Sequence, residues 1–224
     1  MKHIAIAIDG PAAAGKSTIA KKIAKILNFT YIDTGAMYRA YTYFVLKKGI
    51  DPRDEKASVA VINEFNVQLL VDDTVLCNGE DVTKVIRTNE VSQNVSYIAS
   101  YKAIRLAMVD LQRKMAENCS VVMDGRDIGT YVLPNAEVKI YQVASVIARA
   151  ERRYKENIEK GIECTVESLI KDIERRDYID SHRDFAPLCQ AQDAIMLDTS
   201  DLSIEEVVQE VLKIVKEKVG TIYG

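Results

Sequence analysis

The stretch IAIAIDGPAAAGKSTIAKKIAKIL, residues 4 to 27, restricts the possible folds more than any other part of the chain. Residues 3 to 8 alternate as a half-buried strand does, and residues 15 to 27 space Ile19, Ile23, Ile26 and Leu27 along one side of a helix. Between them, Gly10-Pro11-Ala12-Ala13-Ala14-Gly15-Lys16-Ser17 matches GxxxxGK[ST] in full, with Thr18 following. Such a match arises by chance in roughly one chain of this length in a hundred, and its setting between strand and helix makes it a phosphate cradle. The glycines let successive N–H groups turn toward a polyphosphate while the alanines leave room. Lys16 is expected to reach the β and γ oxygens and Ser17 to coordinate Mg²⁺, with the positive end of the helix dipole behind them. The loop predicts nucleoside triphosphate binding. Alone, it does not separate a kinase from a GTPase switch or an ATPase motor.

The rest of the chain is long enough, at 224 residues, for one α/β domain with a small insertion. Lys plus Arg number 30 and Asp plus Glu 33, a formal charge of −3. No general attraction to nucleic acid or membrane is therefore expected, and any anion site must be local. Cys77, Cys119, Cys164 and Cys189 lie far apart without CxxC or Cys/His metal spacing, and read as reduced packing residues of a cytoplasmic protein. The N-terminal MKHIAIAID is too short for a signal peptide, and no run approaches the roughly 18 apolar residues of a membrane span.

A second βα unit is expected at 30–32 and 36–48, joined by the turn DTG. VQLLVDDTVLCNGEDV then reads as a β-hairpin turning at Asp72-Asp73, the one clear antiparallel signal, and an inserted subdomain is expected over roughly 64–90. A helix over 101–117, strands at 120–124 and 137–143, Arg-rich helices at 146–160 and 166–180, a strand at 194–198 and a helix over 203–218 complete the pattern, with Ser203 and Glu206 as a capping box. The fold class is therefore α/β: a three-layer parallel sheet with helices on both faces, a small β-containing insert and a helical lid over 146–180.

A GTPase switch would need NKxD, which the chain lacks. A motor would need an acidic pair after four apolar residues; the nearest segment, VVMDG, has only Asp124, which reads equally as a Mg²⁺ partner or as the end of a strand. His182 and His3 read as solvated, and Tyr31, Tyr38 and Tyr131 as packing residues.

Arginines instead gather near strand and helix ends. Any one of them reads as surface charge, but three segments combine Arg with Asp or a hydroxyl: DTGAMYR with Thr34 and Arg39, DGRDIGTYV with Arg126 and Asp127, and RRDYIDSHRDFAPL with Arg176, Asp180 and Arg183. The first two follow strands, at the sheet edge where open α/β folds bind ligands. Phosphoryl transfer needs cations on donor and acceptor phosphates, and the planar guanidinium fork suits that work.

Taken in order, GPAAAGKST, DTGAMYR, GEDVTKVIR, NVSYIASYKAIR, DGRDIGT and RRDYIDSHRDFAPL resemble the bacterial cytidylate kinases over essentially the whole chain. The resemblance implies ATP and Mg²⁺ as donor and metal, and CMP and dCMP as acceptors. It implies cytosine recognition by Ser96, Arg105 and Asp127, and an acceptor phosphate held by Arg39, Arg126 and Arg183. Arg176 and Asp180 match positions contacting acceptor phosphate or sugar, Thr34 stands where the family often has serine, and Arg149 and Arg153 match lid arginines that close over ATP.

These roles are chemically reasonable: a carboxylate such as Asp127 accepts from the exocyclic amine that cytosine has and uracil lacks, and an arginine donates to the ring carbonyl and N3. Direct in-line transfer between two bound nucleotides is expected, Lys16, Arg126, Arg183, Arg149 and Arg153 countering developing charge. The chain is expected to act as a monomer without nucleic acid or membrane partners. A kinase for UMP, AMP or shikimate, and a non-catalytic ATP-binding regulatory module, remain the alternative readings.

Overall fold

The first strand, β1 (Ala5–Asp9), alternates Ile6 and Ile8 toward one face of the sheet and Ala7 toward the other, all completely buried. The computed structural model describes residues 3–159 and 161–220. Beside β1 lie β2 (Thr30–Asp33), β6 (Val121–Gly125), β7 (Val138–Val143) and β8 (Ile195–Asp198) in a parallel sheet of order β2-β6-β1-β7-β8. Strands covered on both faces read as near-continuous apolar runs, as VVM in β6 does.

On one face, α1 (Lys16–Leu27) and α8 (Ile204–Val219) pack Ile19, Ile23, Val207 and Val211 against Ile6, Ile8, Val122 and Ile140. Burying one such side chain contributes about 1.5–3 kcal/mol, so this stripe is a principal source of stability. Ser203 and Glu206 form the capping box expected of α8. On the other face, α2 (Thr34–Lys47) and α5 (Lys102–Ala116) bring Met37, Tyr41, Val45, Ile104 and Met108 onto Ala7, Ile32 and Met123. Helix α2 starts two residues earlier than its apolar spacing predicts, because the Asp33 carboxylate accepts from Ala36 N–H at 2.8 Å and caps it.

Three short elements escape the sequence pattern or exceed it. A helix α3 (Glu55–Ala60) follows α2. The expected hairpin is the pair β3 (Val67–Leu69) and β4 (Val75–Cys77), extended by β5 (Glu80–Asp81) through the left-handed turn Asn78-Gly79. Helix α4 (Asn89–Ile98) then buries Val95 and Ile98 in the same core. Two Arg-rich helices, α6 (Val146–Glu159) and α7 (Val166–His182), pack against each other beyond the sheet edge. The four cysteines are unbridged. Among the described residues no helix is long and apolar enough to cross a membrane.

The strand register sets up the site. Asp33 pairs with Asp124, and Asp9 with Gly125, so the carboxyl ends of β1, β2 and β6 deliver three carboxylates to one edge. At that edge the strand order turns outward from β1 in both directions, the crevice where doubly wound sheets take ligands.

Candidate functional site

Between β1 and α1, the loop takes backbone angles that only a few residues tolerate. Gly10 has φ 151°, and a Cβ there would stand 2.0 Å from the Gln142 carbonyl oxygen of β7, so the loop lies flush on the neighbouring strand. Gly15 is left-handed at φ 89° and caps α1 with no side chain, which leaves the helix N-terminus open to an anion. Ala13 is also left-handed, at φ 58°. Alternating hands turn successive N–H groups inward, the geometry of an anion nest. Lys16 is buried and folds its ammonium back onto the Pro11 carbonyl at 2.7 Å. Burial, and then the Arg126 charge nearby, hold that ammonium's pKa well below the ordinary lysine range.

Ser17 donates to Asp124 Oδ2 at 2.8 Å, Tyr31 donates to Asp124 Oδ1 at 2.7 Å, and Thr34 donates to the Asp124 backbone oxygen at 2.7 Å. Asp124 is thus built into the loop's floor. Burial, followed by the Asp33 charge, raises its pKa above the ordinary carboxylate range. Tyr31 does more than pack. The serine hydroxyl and carboxylate are hard oxygen donors that fit Mg²⁺. Among the described residues no cluster of three or more His, Cys, Asp or Glu could hold a metal unaided, so an ion here would take its remaining ligands from phosphate and water.

Across the cleft, α2 carries Arg39 inward, where it donates to Ser92 Oγ at 2.7 Å. Burial, with Arg176, Arg87 and Arg153 nearby, depresses its pKa. Arg176 is likewise pushed down to about 10 by burial and Arg126, and its Nε has no partner. Burial alone would raise Asp180, but Arg126, Arg183 and Arg176 hold it below the usual carboxylate value, and Arg126 Nε donates to it at 2.8 Å. Arg39, Arg126, Arg176 and Arg183, buried or half-buried, thus outnumber the carboxylate of Asp180 that they surround, an excess of positive charge that an incoming phosphate would relieve.

Deeper still, Arg105 and Asp127 form a buried ion pair, with Arg183 3.5 Å from the other Asp127 oxygen. The Arg105 guanidinium lies 5.6 Å from the centre of the Tyr38 ring, whose buried hydroxyl is unpartnered. Ser96, on α4, is buried and lines the same space. One cleft of about 1280 Å³ runs from Gly15, Lys16 and Ser17 past Thr34 and Arg39 to Ser96, Arg105 and Asp127. A single small-molecule site has roughly 300–1,000 Å³, so this cleft has room for two ligands end to end.

The structure also sorts the remaining expected residues. Arg126, Asp180, Arg176 and Arg183 converge with the residues above, and Arg153 lines the cleft while pairing with Glu156 at 3.3 Å. Arg149, expected beside Arg153 over the donor, is buried and is not among the residues lining the cleft: it donates to the Ala12 carbonyl of the loop at 2.9 Å and pairs with Asp177. Pro11 and Ala12 belong to the loop, with Ala12 fully buried, and Thr18 stands in the first turn of α1, where it lines the cleft. Sequence reasoning missed Ser92, Gln142 and Asp177. Gln142 donates to the Ala14 carbonyl at 2.6 Å, and Asp177 accepts from Ala12 N–H at 2.9 Å. Only Asp177 had a local signal, standing beside Arg176 in RRDYID. His182 is exposed and stacks on Tyr178, and Tyr131 packs edge-on against Phe185.

Residues 6–217 match the family model described as cytidylate kinase. The cytidylate kinase of Anoxybacillus flavithermus is 53% identical over 221 residues, covering 97% of this chain and 98% of that one. The cytidylate kinase of a Geobacillus strain is 54% identical over 221 residues, covering 97% and 99%. A crystal structure of an uncharacterized protein from Eubacterium ventriosum superimposes with a TM-score of 0.52 at 12% identity, covering 96% of this chain and 99% of that chain, a likeness of fold.

Proposed function

We propose that this chain, which belongs to the cytidylate kinase family, transfers the γ-phosphate of ATP directly to the phosphate of CMP or dCMP. The products are ADP and CDP or dCDP. The observation that carries the reading is the continuity of the cleft, which joins the Gly10–Ser17 loop to the buried Arg105, Asp127 and Ser96 cluster. A triphosphate on the loop would point its terminal phosphate toward Arg39, Arg126, Arg176 and Arg183, and those arginines would hold the acceptor phosphate in line with it. The acceptor is already an anionic oxygen nucleophile, so no covalent enzyme intermediate is needed.

Ser96, Arg105 and Asp127 are the groups for the base. The Asp127 oxygen left free by Arg105 accepts from the cytosine amine, while uracil would present a carbonyl there and leave two acceptors facing each other. Lys16 would leave the Pro11 carbonyl for the β and γ oxygens, and Arg153 would approach from α6. Ser17 and Asp124 would hold Mg²⁺, which when bound neutralises charge on the donor phosphates.

The test is ADP formation in a coupled assay with Mg²⁺ and ATP, offering CMP, dCMP, UMP and AMP separately. Turnover confined to the cytidine nucleotides supports donor, acceptor and base selectivity together. Turnover chiefly with UMP or AMP would discard the roles given to Ser96, Arg105 and Asp127, and ATP binding without acceptor-dependent turnover would discard the kinase reading.

A further inference from the structure

We propose that Arg149 and Asp177 form a clamp on the phosphate loop and serve as positioning residues for the donor, an inference that rests on the loop's proposed role as the ATP site. Asp177 Oδ1 accepts the Ala12 N–H at 2.9 Å, and its Oδ2 pairs with Arg149 Nη1 at 2.5 Å. The same Nη1 donates to the Ala12 carbonyl at 2.9 Å, and Arg149 Nε donates to the Ala144 carbonyl at 2.9 Å. One ion pair therefore grips both polar groups of Ala12. It joins three segments far apart in sequence: the loop, α6 and α7.

Peptide planarity gives this grip a consequence. In a trans peptide the C=O and the following N–H point in opposite directions. Fixing the Ala12 carbonyl on Arg149, outside the loop, fixes the Ala13 N–H toward the inside. Gln142 Nε2 at 2.6 Å, with Arg152 at 3.3 Å, holds the Ala14 carbonyl and so aims the Gly15 N–H in the same way. Ala13 needs such support, because a non-glycine residue at φ 58° is strained unless its surroundings hold it there. Arg149 is 4% exposed and does not line the cleft, unlike Arg152 and Arg153, so it acts through the loop rather than on the triphosphate. Asp177 also stands between Arg176 and Asp180 on α7, which ties the donor loop to the helix that faces the acceptor.

The experiment compares Asp177→Asn, Arg149→Met, Arg149→Lys and the Asp177→Asn/Arg149→Met double variant. Calorimetry measures the affinity of ATP and of tripolyphosphate without acceptor, and steady-state kinetics give KM for ATP and for CMP. Each of Asp177→Asn and Arg149→Met is expected to weaken ATP and tripolyphosphate binding and raise ATP KM by about tenfold or more, the scale of a charged hydrogen bond. CMP KM should stay within about twofold, and the double variant should lose little more than the worse single one. Arg149→Lys, which keeps the charge but not the fork, should recover part of the loss. Unchanged triphosphate affinity in folded variants, or equal loss for both substrates, would overturn the proposal. If Arg149→Met fails to fold, Asp177→Asn still carries the test, since the amide oxygen keeps an acceptor for Ala12 N–H. Tripolyphosphate binding by the wild type without CMP turnover would count against the function proposed above and leave the clamp test standing.

Discussion

Arg105 on α5 and Asp127 beyond β6 face each other as an ion pair with side chains only 1% and 6% exposed, in the wall of the same cleft that the phosphate loop lines. A buried pair is costly to break, because the survivor is left charged and unpaired. Asp127→Ala is therefore expected to lower kcat/KM for CMP by roughly 10²-fold and to destabilise the chain by about 3 kcal/mol. Asp127→Asn can turn its amide donor outward, so its CMP to UMP preference should move toward UMP. Kinetics with both nucleotides, beside a urea titration, check this; an unaltered preference in Asp127→Asn would remove Asp127 from base selection.

Gly10 touches the Gln142 backbone so closely that even one added methyl has no place, since its carbon would stand 2.0 Å from the Gln142 carbonyl oxygen. Either the loop lifts or β7 shifts. Gly10→Ala is expected to cost about 3 kcal/mol, which lowers Tm by roughly 6–12 °C in a chain of this size, and to weaken ATP binding. Thermal melts and calorimetry measure both. A variant melting with the wild type and binding ATP normally would show that the close approach is unimportant.

How much of this was legible in the sequence depends on how local each signal is. The phosphate loop, the Ser203/Glu206 cap and the hairpin strands carry their instructions within a few residues, and all appear in the structure. Helix α4 did not stand out, because NEVSQNVSYI mixes β-branched and Asn/Ser residues of weak helix propensity. Its helicity comes from seating Val95 and Ile98 in the core, a tertiary effect. The turn at Asn78-Gly79 was a local signal for β5 that the hairpin reading passed over. In the site, motif matching identified the cations but not their directions. Asp177 lies 165 residues from Ala12, and Gln142 lies 128 from Ala14. Nothing in the sequence marks those meetings, and so it could not foretell that Arg149 turns toward the loop.

Asp9 gives the fold a pH dependence. Its carboxylate accepts N–H bonds from Ile128 at 2.8 Å and Gly129 at 2.7 Å, yet burial outweighs them and raises its pKa from 3.8 to about 6. The folded chain therefore holds this proton where the unfolded chain releases it. The associated stability is fully present below pH 3.8 and is lost as pH rises through about 6. Relative to Asp9→Asn, which has no proton to lose, the wild type should lose on the order of 2 kcal/mol between about pH 4 and pH 7. Urea titrations of both proteins at the two pH values measure it. A difference that stays constant with pH would mean that Asp9 titrates alike in the folded and unfolded chains.

Tyr31 and Ser17 hold opposite oxygens of Asp124, at 2.7 and 2.8 Å, so the carboxylate cannot rotate without breaking one bond. If Ser17 and Asp124 hold the metal of the donor complex, Tyr31 sets the direction of that carboxylate without touching substrate. Tyr31→Phe keeps the ring beneath Lys21 but removes the hydroxyl. Its stability cost should be about 1 kcal/mol. The larger effect should fall on the metal: Mn²⁺ affinity in the presence of ADP, read by electron paramagnetic resonance, should drop about tenfold, as for other groups that orient a metal-binding side chain. The Mg²⁺ concentration for half-maximal turnover should rise in step while CMP KM stays put. Ser17→Ala should move the same quantities further, since it removes a proposed ligand rather than its support. Unchanged Mn²⁺ affinity in Tyr31→Phe would reduce the tyrosine to a packing residue, the role its sequence context suggested.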